Sequence, residues 1–183
     1  GIFLPSYWLI TLAAYYILLC VIRIFLLRAN GRIVSVKDEK QRLLREWKAY
    51  GICGRLFMVM TLILNGAIVL IVKDGHGFRY NGFLIYAVAL YDFYCLISSI
   101  VYITNRRKNH TPIIESIKTI KLSTSLVSML SLQTAMFASF GGDLDYQTKM
   151  NFIVGTAVCV LIFLLGLFMA VRAHVNKKII AEF

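Results

Sequence analysis

Hydrophobic residues gather into five long runs, separated by shorter segments that hold most of the lysines and arginines. The runs cover 5–27, 56–72, 83–103, 122–140 and 152–171. Each reaches or approaches the roughly 20 residues that cross a hydrocarbon core of about 30 Å. They are continuous rather than alternating, so they predict transmembrane helices and not barrel strands. The second and fourth are short, and each can be extended at its basic end.

Two polar segments also carry helical signals. Over 35–50, Val36, Leu43, Leu44 and Trp47 share one face while Lys37, Arg45 and Lys48 lie off it. Ser35 with Asp38 resembles a capping box in which Asp replaces the usual Glu or Gln. This predicts a separate cytoplasmic amphipathic helix, which can lie in the membrane interface with its basic residues near anionic lipid or contact a cytoplasmic partner. At Thr111-Pro112, a cap followed by proline at the first helical position predicts a helix start. Ile113, Ile114, Ile117 and Ile120 then lead into the fourth run, so one long helix is expected there.

The basic residues sort by loop. Sixteen lie in the first and third connections and the C-terminal tail, against three (Lys73, Arg79 and Lys149) in the other two connections. The positive-inside rule then puts the N-terminus outside and the C-terminus in the cytoplasm, which an odd number of spans satisfies. Arg23, one turn inside the first run, is expected to snorkel to the headgroups.

Composition agrees with this reading. The chain is 59% hydrophobic and 16% charged, with mean hydropathy +0.73, against about 45–50% apolar residues in soluble domains. No Pro-, Ser- or Gly-rich linker divides it, so residues 1–183 form one helical membrane domain. A start at Gly1 suggests a removed leader or a longer parent chain. The net charge of +11 flanks apolar runs instead of forming a basic motif interleaved with aromatics, which argues against nucleic-acid binding. Cys20, Cys53, Cys95 and Cys159 form no CxxC pair and have no histidine at ligand spacing, so they read as small buried thiols with no metal site. No P-loop, paired-histidine zinc motif, nucleophile elbow or dinucleotide fingerprint appears. Neither catalysis nor a cofactor is expected.

The informative polar residue is Asp92, near the middle of the third run. An isolated ion at that depth is expensive, so the carboxyl must be neutral, paired or facing water. At about 1.5 Å rise per residue, Tyr15 and Tyr16, Asn65, Ser131 and Gln133 reach a similar depth on three other runs. Such a layer can hydrogen-bond internally and hold helices together, or line a hydrated passage in which Asp92 binds a proton or cation. Cys95 and Ser99 share the Asp92 side of their helix. On the fourth run, Thr124, Ser128, Ser131, Ala135 and Ser139 form a small-residue face suited to close helix packing. Gln133 points nearly opposite, which calls for a second intramolecular contact or a homo-oligomer. Gly166 and Ala170 form a second, less specific small pair on the fifth run.

The stretches Asn105-Arg106-Arg107-Lys108 and Leu126 to Met136 (LVSMLSLQTAM) resemble small polytopic membrane proteins of Gram-positive bacteria that carry no assigned activity. The resemblance implies a bacterial cytoplasmic membrane and nothing catalytic. Length and basic character are also similar to the substrate-binding subunits of modular vitamin transporters, which typically have six helices against the five counted here.

Two functional expectations follow. The first is a non-enzymatic component handling a small solute or ion within a membrane assembly, centred on Asp92 with Tyr15, Asn65 and Ser131 as neighbours. The second is a membrane-embedded interaction or regulatory subunit in which the polar layer is purely structural. The bilayer is the expected partner in both, with a homo-oligomer or larger assembly around the chain.

Overall fold

The computed structural model describes residues 7–34, 38–74, 83–104, 111–141 and 143–182. Five α-helices account for nearly all of them: α1 (Tyr7–Val34), α2 (Glu39–Asp74), α3 (Leu84–Thr104), α4 (Pro112–Phe140) and α5 (Leu144–Glu182). No strand occurs among the described residues. The chain's two prolines precede α1 in sequence and open α4, so no helix interior is interrupted. Thr111 is the N-cap of α4 with Pro112 behind it, as the sequence predicts. At the other end of α4 the chain turns at Gly141, whose φ of 76° suits a residue without a Cβ, and its N–H donates to the Phe137 carbonyl at 3.2 Å.

Among the described residues, four stretches are long and apolar enough to cross a membrane: Ala13–Ile33, Glu39–Leu70, Leu84–Thr104 and Leu144–Ile180. The fourth expected span, inside α4, is long enough but diluted by Ser, Thr and Gln. Its position in the bundle explains how it tolerates them. α4 touches all of α1, α2, α3 and α5, and twelve of its residues are buried. Its hydroxyls mostly bond back to the carbonyl one turn earlier, as Ser116 does to Pro112 (3.2 Å), Thr124 to Ile120 (2.8 Å) and Thr134 to Leu130 (3.0 Å). Most of these polar side chains are therefore satisfied without leaving the protein interior, while the Ser123 and Ser139 hydroxyls have no partner among the described residues. Being surrounded also removes the conflict over Gln133. Both sides of α4 are covered, and Gln133 is half-buried.

The most extensive contact is between α2 and α5. On α2, Cys53, Phe57, Met60, Leu64 and Ile68 are buried at spacings of three and four, and on α1 Tyr15, Leu19, Ile22 and Leu26 do the same. The close approach occurs at glycine. A Cβ on Gly54 would lie 2.8 Å from the Gly166 carbonyl oxygen and 2.8 Å from the Ala170 nitrogen, while one on Gly166 would lie 2.9 Å from the Gly54 oxygen. The pair Gly166 and Ala170, the less specific of the two small-residue signals, thus receives α2.

This packing corrects one expectation. The amphipathic segment 35–50 and the second span are not separate elements: α2 runs unbroken from Glu39 through Asp74. Gly51 and Gly54, inside α2, face α5, where Ala173, Ala170 and Gly166 leave room for them. Ser35 lies outside the described residues. The helix start instead uses Asp38, whose carboxylate accepts from the Lys40 N–H at 3.1 Å.

Candidate functional site

Among the described residues, α3 touches only α4. Of its 21 residues, Ile85, Asp92 and Ser99 are buried, at seven-residue intervals that trace one narrow stripe. Against it α4 sets Lys118, Lys121, Ser125 and Ser128, spaced three and four apart on one face. The two helices run antiparallel, and the side chains meet in order. Ser128 donates to the Asp92 carboxylate at 2.6 Å. Ser99 and Ser125 share a hydrogen bond of 3.1 Å, and Ser99 also bonds back to the Cys95 carbonyl at 2.7 Å. Lys121 donates to Ser98 at 3.1 Å, and the Lys118 ammonium stands 4.7 Å above the Tyr102 ring. The result is a polar seam that grades from a buried carboxylate at one end to cations on an aromatic ring at the other.

Asp92 is 4% exposed and partnered, as its depth requires. The other residues of the expected layer do not converge on it. Asn65 lies on an exposed face of α2. Tyr15 is fully buried, and its hydroxyl has no hydrogen-bond partner among the described residues. Ser131 and Gln133 are half-buried on α4. Equal depth groups these residues into one layer, but among the described residues α3 touches neither α1 nor α2, which keeps Tyr15 and Asn65 from Asp92. Of the small-residue face, Ser128 joins the seam and Ala135 is buried. Thr124 bonds to its own helix, and Ser139 is half-buried with a hydroxyl unpaired among the described residues. Ser125, three residues before Ser128, carries no signal of its own in the sequence. Its register with Ser99 becomes visible only when the two helices are aligned.

A second cluster joins α2, α4 and α5 near the basic end. Arg172 donates to Glu115 at 2.6 Å, and its guanidinium lies 5.6 Å from the Trp47 ring centroid and 6.0 Å from that of Phe168. Trp47 meets Tyr50 edge-on at 5.4 Å. Beside the ion pair is a cavity of about 530 Å³, lined by Tyr50, Glu115, Lys118 and Arg172 on its polar side and by Leu165 and Met169 among its apolar residues. In the sequence Arg172 is one topology charge among several, and Glu115 stands out in no way. The two are separated by 57 positions, and no local pattern links them.

Cys53 and Cys159 are buried, whereas Cys20 is exposed and Cys95 half-buried; all four are free thiols. Arg23 is exposed on α1. Among the described residues no three His, Cys, Asp or Glu side chains are grouped to hold a metal ion. No family model, curated protein or solved structure matches the chain.

Proposed function

We propose that the chain is a non-enzymatic, five-span protein of a bacterial cytoplasmic membrane, acting as an interaction subunit in which the polar residues hold the bundle together. The N-terminus is outside and the C-terminus in the cytoplasm. The charge asymmetry between loops supports this orientation. At 36 and 39 residues, α2 and α5 extend about 54 and 58 Å, well beyond a hydrocarbon core of about 30 Å. The surplus of α2 lies before its apolar run, on the basic side, whereas that of α5 is divided between residues 144–151 on the other side and 172–182 on the basic side.

The observation that carries the reading is the bond from Ser128 to Asp92. It gives the one mid-helix carboxylate of α3 a structural partner on the neighbouring helix. A solute- or ion-handling role has less support, because Asn65 and Tyr15 do not meet Asp92. The outer face of α3 is the contact surface: Leu90, Tyr91, Phe93, Tyr94 and Ile97 are all exposed and face lipid or a partner helix.

Cross-linking tests the reading. With the native cysteines replaced, Ser99→Cys and Ser125→Cys should form a disulfide in membranes. Asp92→Leu should slow its formation, and Asp92→Asn, which can still accept from Ser128, should not. Loss of a pH-dependent ion flux in Asp92→Asn liposomes, with cross-linking unchanged, would favour the transport role instead.

A further inference from the structure

α1 and α2 form an antiparallel hairpin, and the end of this hairpin holds a groove of about 410 Å³. Arg28 and Arg32, one turn apart, line it from α1, while Arg45 and Lys48 line it from α2. All four are exposed. Among the described residues no carboxylate lines the groove. Glu46, next to Arg45 in sequence, is buried and paired with Arg42 at 3.3 Å. Like charges around one concavity repel one another and raise the local potential, which an entering anion relieves.

The groove is also graded in polarity. Arg32 and Arg45 lie nearest the connection between the helices, Arg28 and Lys48 come next, and Phe25 and Ile52 lie furthest into the bundle. The same cavity therefore changes from cationic to apolar along its length, in the direction that runs from headgroups to acyl chains.

We propose that this groove binds a phospholipid with an anionic headgroup. Arg28, Arg32, Arg45 and Lys48 hold the phosphate, with the guanidinium forks suited to paired hydrogen bonds. The acyl chain leaves past Phe25 and Ile52. A free phosphate would match the cations but leave the apolar end unfilled. The proposal rests on the membrane placement above and adds to it a ligand and a site.

The test is native mass spectrometry of the purified full chain, titrated with phosphatidylglycerol, phosphatidylcholine or inorganic phosphate. The wild-type chain should retain phosphatidylglycerol over phosphatidylcholine. Arg28→Gln with Arg45→Gln should weaken that retention about 30-fold, taking the usual contribution of each basic residue at an anionic surface. Lys149→Gln with Lys178→Gln removes the same charge outside the groove and should change retention less than about threefold. Arg28→Lys with Arg45→Lys keeps the charge but not the paired hydrogen bonds and should fall between wild type and the glutamine pair, which separates charge from misfolding. Equal losses in the two glutamine pairs would overturn the proposal, as would displacement of the lipid by inorganic phosphate. Absence of any phosphatidylglycerol preference in a chain that inserts into phosphatidylcholine bilayers would overturn it too, while leaving the membrane placement intact. Release of the chain from membranes by alkaline extraction would instead remove that placement.

Discussion

The α2–α5 pair and the α3–α4 pair meet the same difficulty by opposite means. Inside a bilayer, lipid is as apolar as leucine, so burying apolar side chains gives helices little reason to associate. α2 and α5 associate through backbone proximity. Gly54 and Gly166 remove two side chains, and the helices pack along a long, close contact in which many weak dispersion terms add up. α3 and α4 associate through side chains: a carboxylate, hydroxyls and ammonium groups along a stripe that buries three of the 21 residues of α3. The first contact is intolerant of added volume. The second is intolerant of lost hydrogen bonds and indifferent to volume beyond the stripe.

The largest effect should come from adding volume where backbones touch. At Gly54 a Cβ would meet backbone atoms of Ala170 and Gly166 at 2.8 Å, and these cannot rotate away as a side-chain end can. Gly54→Val should cost about 3 kcal/mol, at the upper end of the usual overpacking range. Gly166→Val should cost about 2–3 kcal/mol, since two of its three nearest neighbours are side-chain carbons of Phe57 and Met58. Unfolding in mixed detergent and dodecyl sulfate micelles measures both. A loss under about 0.5 kcal/mol at Gly54 would mean that the backbones of α2 and α5 stand further apart.

Next in size is the clasp. Asp92→Leu removes the acceptor from Ser128 at the buried end of the seam. Interhelical hydrogen bonds in membranes average about 0.6 kcal/mol and reach about 1.7, and a short bond of 2.6 Å belongs near the top of that range. A loss of about 1–1.5 kcal/mol is expected for Asp92→Leu, and less than half of that for Asp92→Asn. The Ser128→Ala change should cost nothing further in the Asp92→Leu background, because its partner is already gone. Additive losses would show that the two side chains act independently.

How far the sequence reveals these contacts depends on whether a contact is local. The helices are legible from continuous apolar runs, the α4 start from Thr111-Pro112, and the pairing of Asp92 from its place in the middle of an apolar run. The grouping of Cys95 and Ser99 with Asp92 is legible from helical spacing. Partner identity is not. Asn65 and Asp92 share a depth, yet α2 and α3 do not touch among the described residues. Sequence specifies the level of a residue in the membrane but not which helices are neighbours. Gly51 and Gly54 would weaken α2 in isolation, because glycine lowers helix propensity. They lie inside α2 because α5 provides the small residues that make a glycine face useful. The pairing of Glu115 with Arg172 depends on the register of two distant helices and leaves no signal in either segment.

The Glu115–Arg172 pair joins the two halves of the comparison, since it ties α4 to α5. Arg172 is 42% exposed, so water and salt screen the attraction. Glu115→Gln should therefore cost about 0.5–1 kcal/mol at low ionic strength. The cost should shrink as salt is raised, because a half-exposed pair is screened while its stacking on Trp47 is not. A double-mutant cycle with Arg172→Met isolates the pair. A coupling that ignores salt would place the pair in a drier setting than its exposure indicates.

The smallest effect sharpens the comparison most. Gly66 lies on the same helix as Gly54, is exposed, and has no neighbouring atom among the described residues within 4 Å of where a Cβ would stand. If glycine itself mattered to α2, Gly66→Ala and Gly54→Ala would behave alike. If close approach matters, only Gly54→Ala should be costly. In water, replacing an exposed helical glycine by alanine stabilises by about 0.5–1 kcal/mol, because the unfolded chain loses freedom. Within a bilayer the separated helix keeps its internal hydrogen bonds, so that term largely disappears from the comparison of folded and dissociated states. Gly66→Ala should thus shift stability by less than about 0.5 kcal/mol in either direction. A larger loss would mean that the exposed face of α2 near Gly66 and Asn65 packs against something in the membrane, and the boundary between bundle and lipid would have to be redrawn there.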